Sequence, residues 1–124
     1  MREILFRGKD FSGVINHRWC FGSLDTTEDD RAIIIYPDRF GNRCQIFVNP
    51  ETVGQYTGLK DKNGTKIFEG DIILLRGDEE PYQVVFDESC FQVYSDSVRY
   101  AMDNFYDYEI EVIGNIYDNK LEDF

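Results

Sequence analysis

Apolar and polar residues alternate along this chain in short stretches that break at Gly, Asn or Asp, the rhythm of strands buried on one face. Runs rich in Ile, Val, Phe and Tyr mark candidate strands at Glu3–Arg7, His17–Leu24, Ala32–Tyr36 and Arg43–Val48, which would form a first lobe. A second set follows at Gly54–Thr57, Lys66–Phe68, Asp71–Arg76, Tyr82–Asp87, Phe91–Tyr94 and Glu109–Tyr117. Tyr82, Val84 and Phe86 share one face, as do Ile110, Val112 and Ile116, with Glu109 and Glu111 on the other side. Two segments carry a helical signal instead. In "DSVRYAMDNF", Val98, Ala101, Met102 and Phe105 fall at i, i+3, i+4 and i+7 behind Asp96 or Ser97 as a cap. The tail "DNKLEDF" offers Asp118 or Asn119 as the cap of one further turn.

The stretch "GLKDKNGTKIFEGDIILL", Gly58–Leu75, decides the fold reading. Counted from Asp61 it imitates a calcium loop, with Asn63 and Thr65 at ligand positions 3 and 5, but Lys66 stands where the bend needs Gly and Ile72 where a bidentate Glu must close the loop. Calcium is therefore excluded. Asn63-Gly64 instead predicts a two-residue type I′ hairpin turn, Gly70 a second bend, and "IILL" a strand buried on both faces. The predicted fold is mainly β: a small SH3-like barrel or antiparallel meander in the C-terminal part, an additional N-terminal β lobe, and one or two short helices. The lobes are expected at residues 1–50 and 51–124, with one integrated domain as the alternative.

Composition narrows the function classes. At 124 residues, 42% hydrophobic and 15% aromatic, the chain has the apolar area to fold alone. Its apolar runs stop at four or five residues, far short of the roughly 20 needed to span a bilayer, so a soluble, cytoplasmic protein without a membrane partner is expected. Thirteen Lys and Arg against 24 Asp and Glu give a net charge of −11, which repels phosphate, and no direct nucleic-acid binding is expected. Cys20, Cys44 and Cys90 are odd in number and contain no Cys-x-x-Cys pair, which suits free, mostly buried thiols in a reducing compartment. With His17 they could supply a Cys3His zinc site, but in a strand "HRWCF" His17 and Cys20 point to opposite faces, so no metal is assigned. His17 is also the sole histidine, which argues against triad chemistry. Neither a Walker spacing nor a strand–GxGxxG–helix unit occurs, and no cofactor is expected.

"VNPETVGQYTGLKDKNGTKIFEGDIILL", Val48–Leu75, together with "EVIGNIYDN", Glu111–Asn119, resembles the YopX family of phage and prophage proteins; "MREILFRG" and "WCFGSL" resemble the start of that family more loosely. The resemblance implies a role inside a bacterial host and carries over no catalytic residue. The expected function is non-enzymatic: a self-assembling protein–protein binding module, homo-oligomeric through strand edges or apolar side chains, with a host or phage protein as partner. Tyr56, Lys60, Phe68, Glu69 and Asp71 form the candidate partner surface, because aromatics at turns supply contact area at low entropic cost. The alternative is an acidic DNA mimic occupying a host nucleic-acid-binding protein, suggested by "TTEDD", "GDEE" and "DNFYDYEIE".

Overall fold

The computed structural model describes residues 3–11, 18–96 and 98–119, and divides into two compact units, Met1–Tyr56 and Thr57–Phe124. His17 and most of the tail segment read as a final helical turn lie outside the described residues.

The first unit is an antiparallel sheet. It holds β1 (Phe6–Lys9), β2 (Trp19–Thr26), β3 (Ala32–Pro37), β4 (Arg43–Val48) and the start of β5 (Gly54–Lys60), in the order β4-β3-β2-β1-β5. Period-2 alternation selects its core: Ala32 and Ile34 of β3 and Ile46 and Val48 of β4 are buried with Cys20, and Phe6, Leu24, Tyr36 and Val53 pack around them. Complete burial of Ile34 contributes about 2–3 kcal/mol. Gly22 is dictated by close approach, since a Cβ there would lie 2.1 Å from the Ile35 carbonyl oxygen. The outer edge of β4 is covered by the chain leaving β1: the Phe11 amide donates to Phe47 O at 2.9 Å and the Asn49 amide to Lys9 O at 2.8 Å.

In the second unit, β5 runs on beside β6 (Lys66–Phe68), and an antiparallel sheet follows in the order β10-β9-β8-β7-β11. Its strands are β7 (Asp71–Leu75), β8 (Pro81–Asp87), β9 (Cys90–Ser95), β10 (Val98–Ala101) and β11 (Ile110–Asn115). Ile67, Ile73, Leu75, Tyr82, Val84, Val93, Met102 and Ile110 form its core. The outer strands β10 and β11 do not pair with each other, so of the two expected alternatives this is the open antiparallel meander and not a closed SH3-like barrel. The helix expected over Val98–Phe105 is instead strand β10 followed by a 3₁₀ turn at Met102–Asn104. Too short to be stable on propensity alone, the segment takes its conformation from tertiary partners. Arg99 pairs with Asp87 at 2.9 Å and lies over the Tyr94 ring at 4.8 Å, while the turn still delivers Met102 to the core. Helical content among the described residues is confined to 3₁₀ turns at Pro50–Thr52, Met102–Asn104 and Asp107–Glu109.

Three hairpins share one loop design, over Thr27–Arg31, Asp38–Asn42 and Asp61–Thr65. In each, the first amide donates to the fifth carbonyl (3.0, 2.8 and 2.8 Å) and the fourth amide donates to the first carbonyl (3.1, 3.0 and 3.0 Å). The side-chain oxygen of the first residue then accepts from the fifth amide, at 3.0, 2.9 and 2.9 Å. The fourth position has positive φ: Asp30 at 63°, Gly41 at 82° and Gly64 at 81°. This is a type I turn closed by a left-handed residue, with three residues inside the closing pair. The two-residue type I′ turn read from Asn63-Gly64 is therefore corrected. Asp61, capping from outside the dipeptide, sets the longer loop, and only Gly64 needs the left-handed conformation.

Candidate functional site

The residues of the most specific sequence stretch converge in the second unit, where their side chains hold backbone. Thr57 Oγ1 donates to Ile67 O at 2.8 Å and accepts the Leu59 amide at 3.2 Å. Asp61 accepts the amides of Asn63 and Thr65 on Oδ1 and that of Val112 on Oδ2, each at 2.9 Å. Burial pushes the Asp61 carboxyl up, but the bonds from Val112, Thr65 and Asn63 outweigh it and hold the group below the usual carboxylate range. Beside it the Lys62 amide donates to Ile110 O at 2.9 Å. Asp71 Oδ2 accepts the Phe68 amide at 2.8 Å across the Glu69-Gly70 bend, and Gly70 O accepts the Ile116 amide at 2.9 Å. Asn115 Oδ1 accepts the amides of Tyr117 and Asp118 at 3.0 and 2.9 Å. The segments Gly58–Leu75 and Glu111–Asn119 thus meet through main-chain bonds and one buried carboxylate.

The candidate partner residues are placed as follows. Tyr56 ends the first unit and is buried; Phe68 and Asp71 are buried in the second; Glu69 is half-buried beside them and Lys60 is exposed. Phe68, Glu69 and Asp71 share one turn, whose acid is committed to the Phe68 amide. Of the thiols only Cys20 is buried, Cys44 is half-buried and Cys90 is exposed, which corrects the expectation of mostly buried cysteines. Among the described residues no group of three or more His, Cys, Asp or Glu is arranged to hold a metal, and no helix is long and apolar enough to cross a membrane.

The accessible chemistry of the second unit borders these segments. Tyr106 and Tyr108 are 67% and 56% exposed, with rings stacked at 5.5 Å and 6°. The Tyr106 amide is held by Glu109 Oε1 at 2.9 Å, and the Arg76 guanidinium lies 6.0 Å over the Tyr108 ring. Beside them runs a cleft of about 420 Å³ walled by Lys62, Arg76, Asp78, Tyr108 and Glu111. Lys62 pairs with Glu111 at 3.4 Å, and Asp78 accepts the Tyr82 hydroxyl at 2.7 Å. That bond, with burial, pushes the Tyr82 phenol up to about 12, while the Glu80 amide and the same hydroxyl hold Asp78 low. The sequence signal for this surface was the alternation of Tyr with acids in "FYDYEIE", read there only as charge and strand.

These features define a two-unit antiparallel β protein in which the segments Gly58–Leu75 and Glu111–Asn119 secure main chain and the exposed Tyr106–Tyr108 pair borders a cleft that Lys62 and Glu111 of those segments help to wall. The family model described as YopX protein matches residues 6–122, and the chain belongs to the YopX family. Two crystal structures have a similar fold. Protein EF1440 from Enterococcus faecalis is 21% identical with a TM-score of 0.59, and yopX from Bacillus subtilis is 20% identical with a TM-score of 0.59; each match covers 96% of both chains. No curated protein matches the chain.

Proposed function

We propose that this chain is a non-enzymatic, self-assembling binding module that contacts another protein through exposed aromatic side chains, in the bacterial cytoplasm during a phage or prophage programme. The observation that carries this reading is the Tyr106–Tyr108 stack. Two large rings held outward and ordered in advance offer contact area at little further entropic cost, and rings of this kind dominate binding energy where proteins meet. The Glu109 capping bond fixes the loop that presents them. A tagged chain used as bait in the induced bacterial host tests the proposal. A protein retained by the native chain and lost with a Tyr106→Ser, Tyr108→Ser double variant of unchanged circular dichroism supports it. Identical retention by both chains contradicts it.

A further inference from the structure

The sheet of the second unit ends differently on its two sides. Along β11, Ile110 O accepts the Lys62 amide, the Val112 amide is taken by Asp61, and the Asn115 amide by Asn119 Oδ1 at 3.4 Å. That edge is plugged by side chains and loop. On β10 the register gives the opposite result. Ser95 and Val98 are partners that close the β9–β10 hairpin with two residues between them, so they exchange both main-chain hydrogen bonds. Alternation then turns the N–H and C=O of Arg99 and Ala101 away from β9. Val98 and Tyr100, each 42% exposed, lie on the face that buries Val84 and Val93. The Tyr100 ring contacts those of Tyr82 and Phe105 at 6.1 and 5.9 Å, so the core continues to this edge, where no other described strand covers it.

We infer that β10 is the edge through which a second copy of this chain adds, antiparallel, about a two-fold axis at Tyr100. The outward groups select this register. Arg99 of one copy and Ala101 of the other exchange hydrogen bonds twice, and Tyr100 faces Tyr100 as the close pair between them. An axis at Arg99 would oppose two guanidinium groups, and an axis at Ala101 would run into the 3₁₀ turn at Met102–Asn104. In the chosen register each Arg99 stays on the other face with its own Asp87 and Tyr94. Both copies then present their uncovered apolar face on the same side, and the sheet runs through from one to the other. Because β10 has only four residues, the association is weak and concentration-dependent.

The inference rests on the self-assembly half of the proposed function, and its test separates the two. Sedimentation of the full chain is followed from micromolar to millimolar concentration, beside an Ala101→Pro variant. Ala101 has φ −66°, which proline adopts without strain, and the amide it removes points outward, so the folded monomer is preserved. Reversible dimerisation of the native chain, with dissociation raised at least tenfold by Ala101→Pro, supports the inference. Dimerisation unchanged by the variant overturns the β10 edge while leaving self-assembly intact, and a native chain that stays monomeric overturns both. Register is read separately in a Cys90→Ser background. Tyr100→Cys forms disulfide-linked dimers on mild oxidation and Val98→Cys does not; equal linking by both overturns the two-fold at Tyr100.

Discussion

Replacing Asp61 with Ala removes one side chain and three contacts. The residue is 3% exposed, and its carboxylate accepts three amides at 2.9 Å. A hydrogen bond to a charged acceptor contributes roughly 1.5–3 kcal/mol, and an interior amide left unpaired costs about 1–3 kcal/mol. Asn63 and Thr65 are exposed and regain water, whereas Val112 is half-buried behind the loop. The expected loss is therefore about 3 kcal/mol, a large share of a domain stability of roughly 5–15 kcal/mol, and a melting temperature lower by roughly 10 °C. Asp61→Asn retains one acceptor oxygen and should lose about 1–2 kcal/mol. The pH dependence has a definite sign. Since the folded carboxyl titrates below its ordinary value, the unfolded chain takes up a proton first as pH falls. The stabilisation is complete above the ordinary aspartate pKa of about 3.9 and is lost as pH drops through the folded value. Urea denaturation followed by circular dichroism between neutral and acid pH measures both effects. An Asp61→Ala cost under about 0.5 kcal/mol, the scale of an ordinary surface change, or an Asp61→Asn acid limb parallel to the native one, would refute the reasoning.

Other consequences are as direct. Gly41→Ala and Gly64→Ala should each cost about 1 kcal/mol through backbone strain alone, because a Cβ at either position meets nothing within 4 Å. Asp30 holds the equivalent loop position at φ 63°, so Asp30→Gly should gain a few tenths of a kcal/mol or more by removing the same strain; thermal melts of the three variants report the opposite signs. Iodoacetamide should modify exposed Cys90 within minutes in the native chain and leave Cys20 untouched until denaturant is added, since burial and neighbouring Asp10 push that thiol up. Mass spectrometry of timed samples would show the order.

Most strands were legible because their burial is one-sided. Ile46 and Val48 alternate with exposed positions and Ala32 and Ile34 with half-buried ones, and β4 and β6 begin and end where the pattern placed them. The Val98 segment was not legible, because spacings of three and four also arise when a short strand runs into a 3₁₀ turn. Its deciding partners, Asp87 and Tyr94, lie outside the window. Turn type was misread for a related reason. The capping acid Asp61 stands outside the Asn-Gly pair, although Asp38 and Thr27 show the same opening in the other two loops. Sheet closure was hidden entirely, since whether β10 meets β11 depends on twist accumulated over the strands between them. Among the candidate site residues, aromatic character at a turn did not distinguish Phe68, which fills the core, from Tyr108, which faces water. Turn position alone fixes neither.

The side chains of Gly58–Leu75 secure the main chain of the second unit, and Asp61 fastens the hairpin loop to β11. Hydrogen exchange at the Val112 amide tests this most directly, because its bond acceptor is that one carboxylate. In the native chain at neutral pH this amide should exchange only as slowly as the core amides of β7, and in Asp61→Ala it should exchange through local opening while β7 remains protected. A Val112 amide that exchanges in the native chain at the rate of an exposed loop would contradict the account.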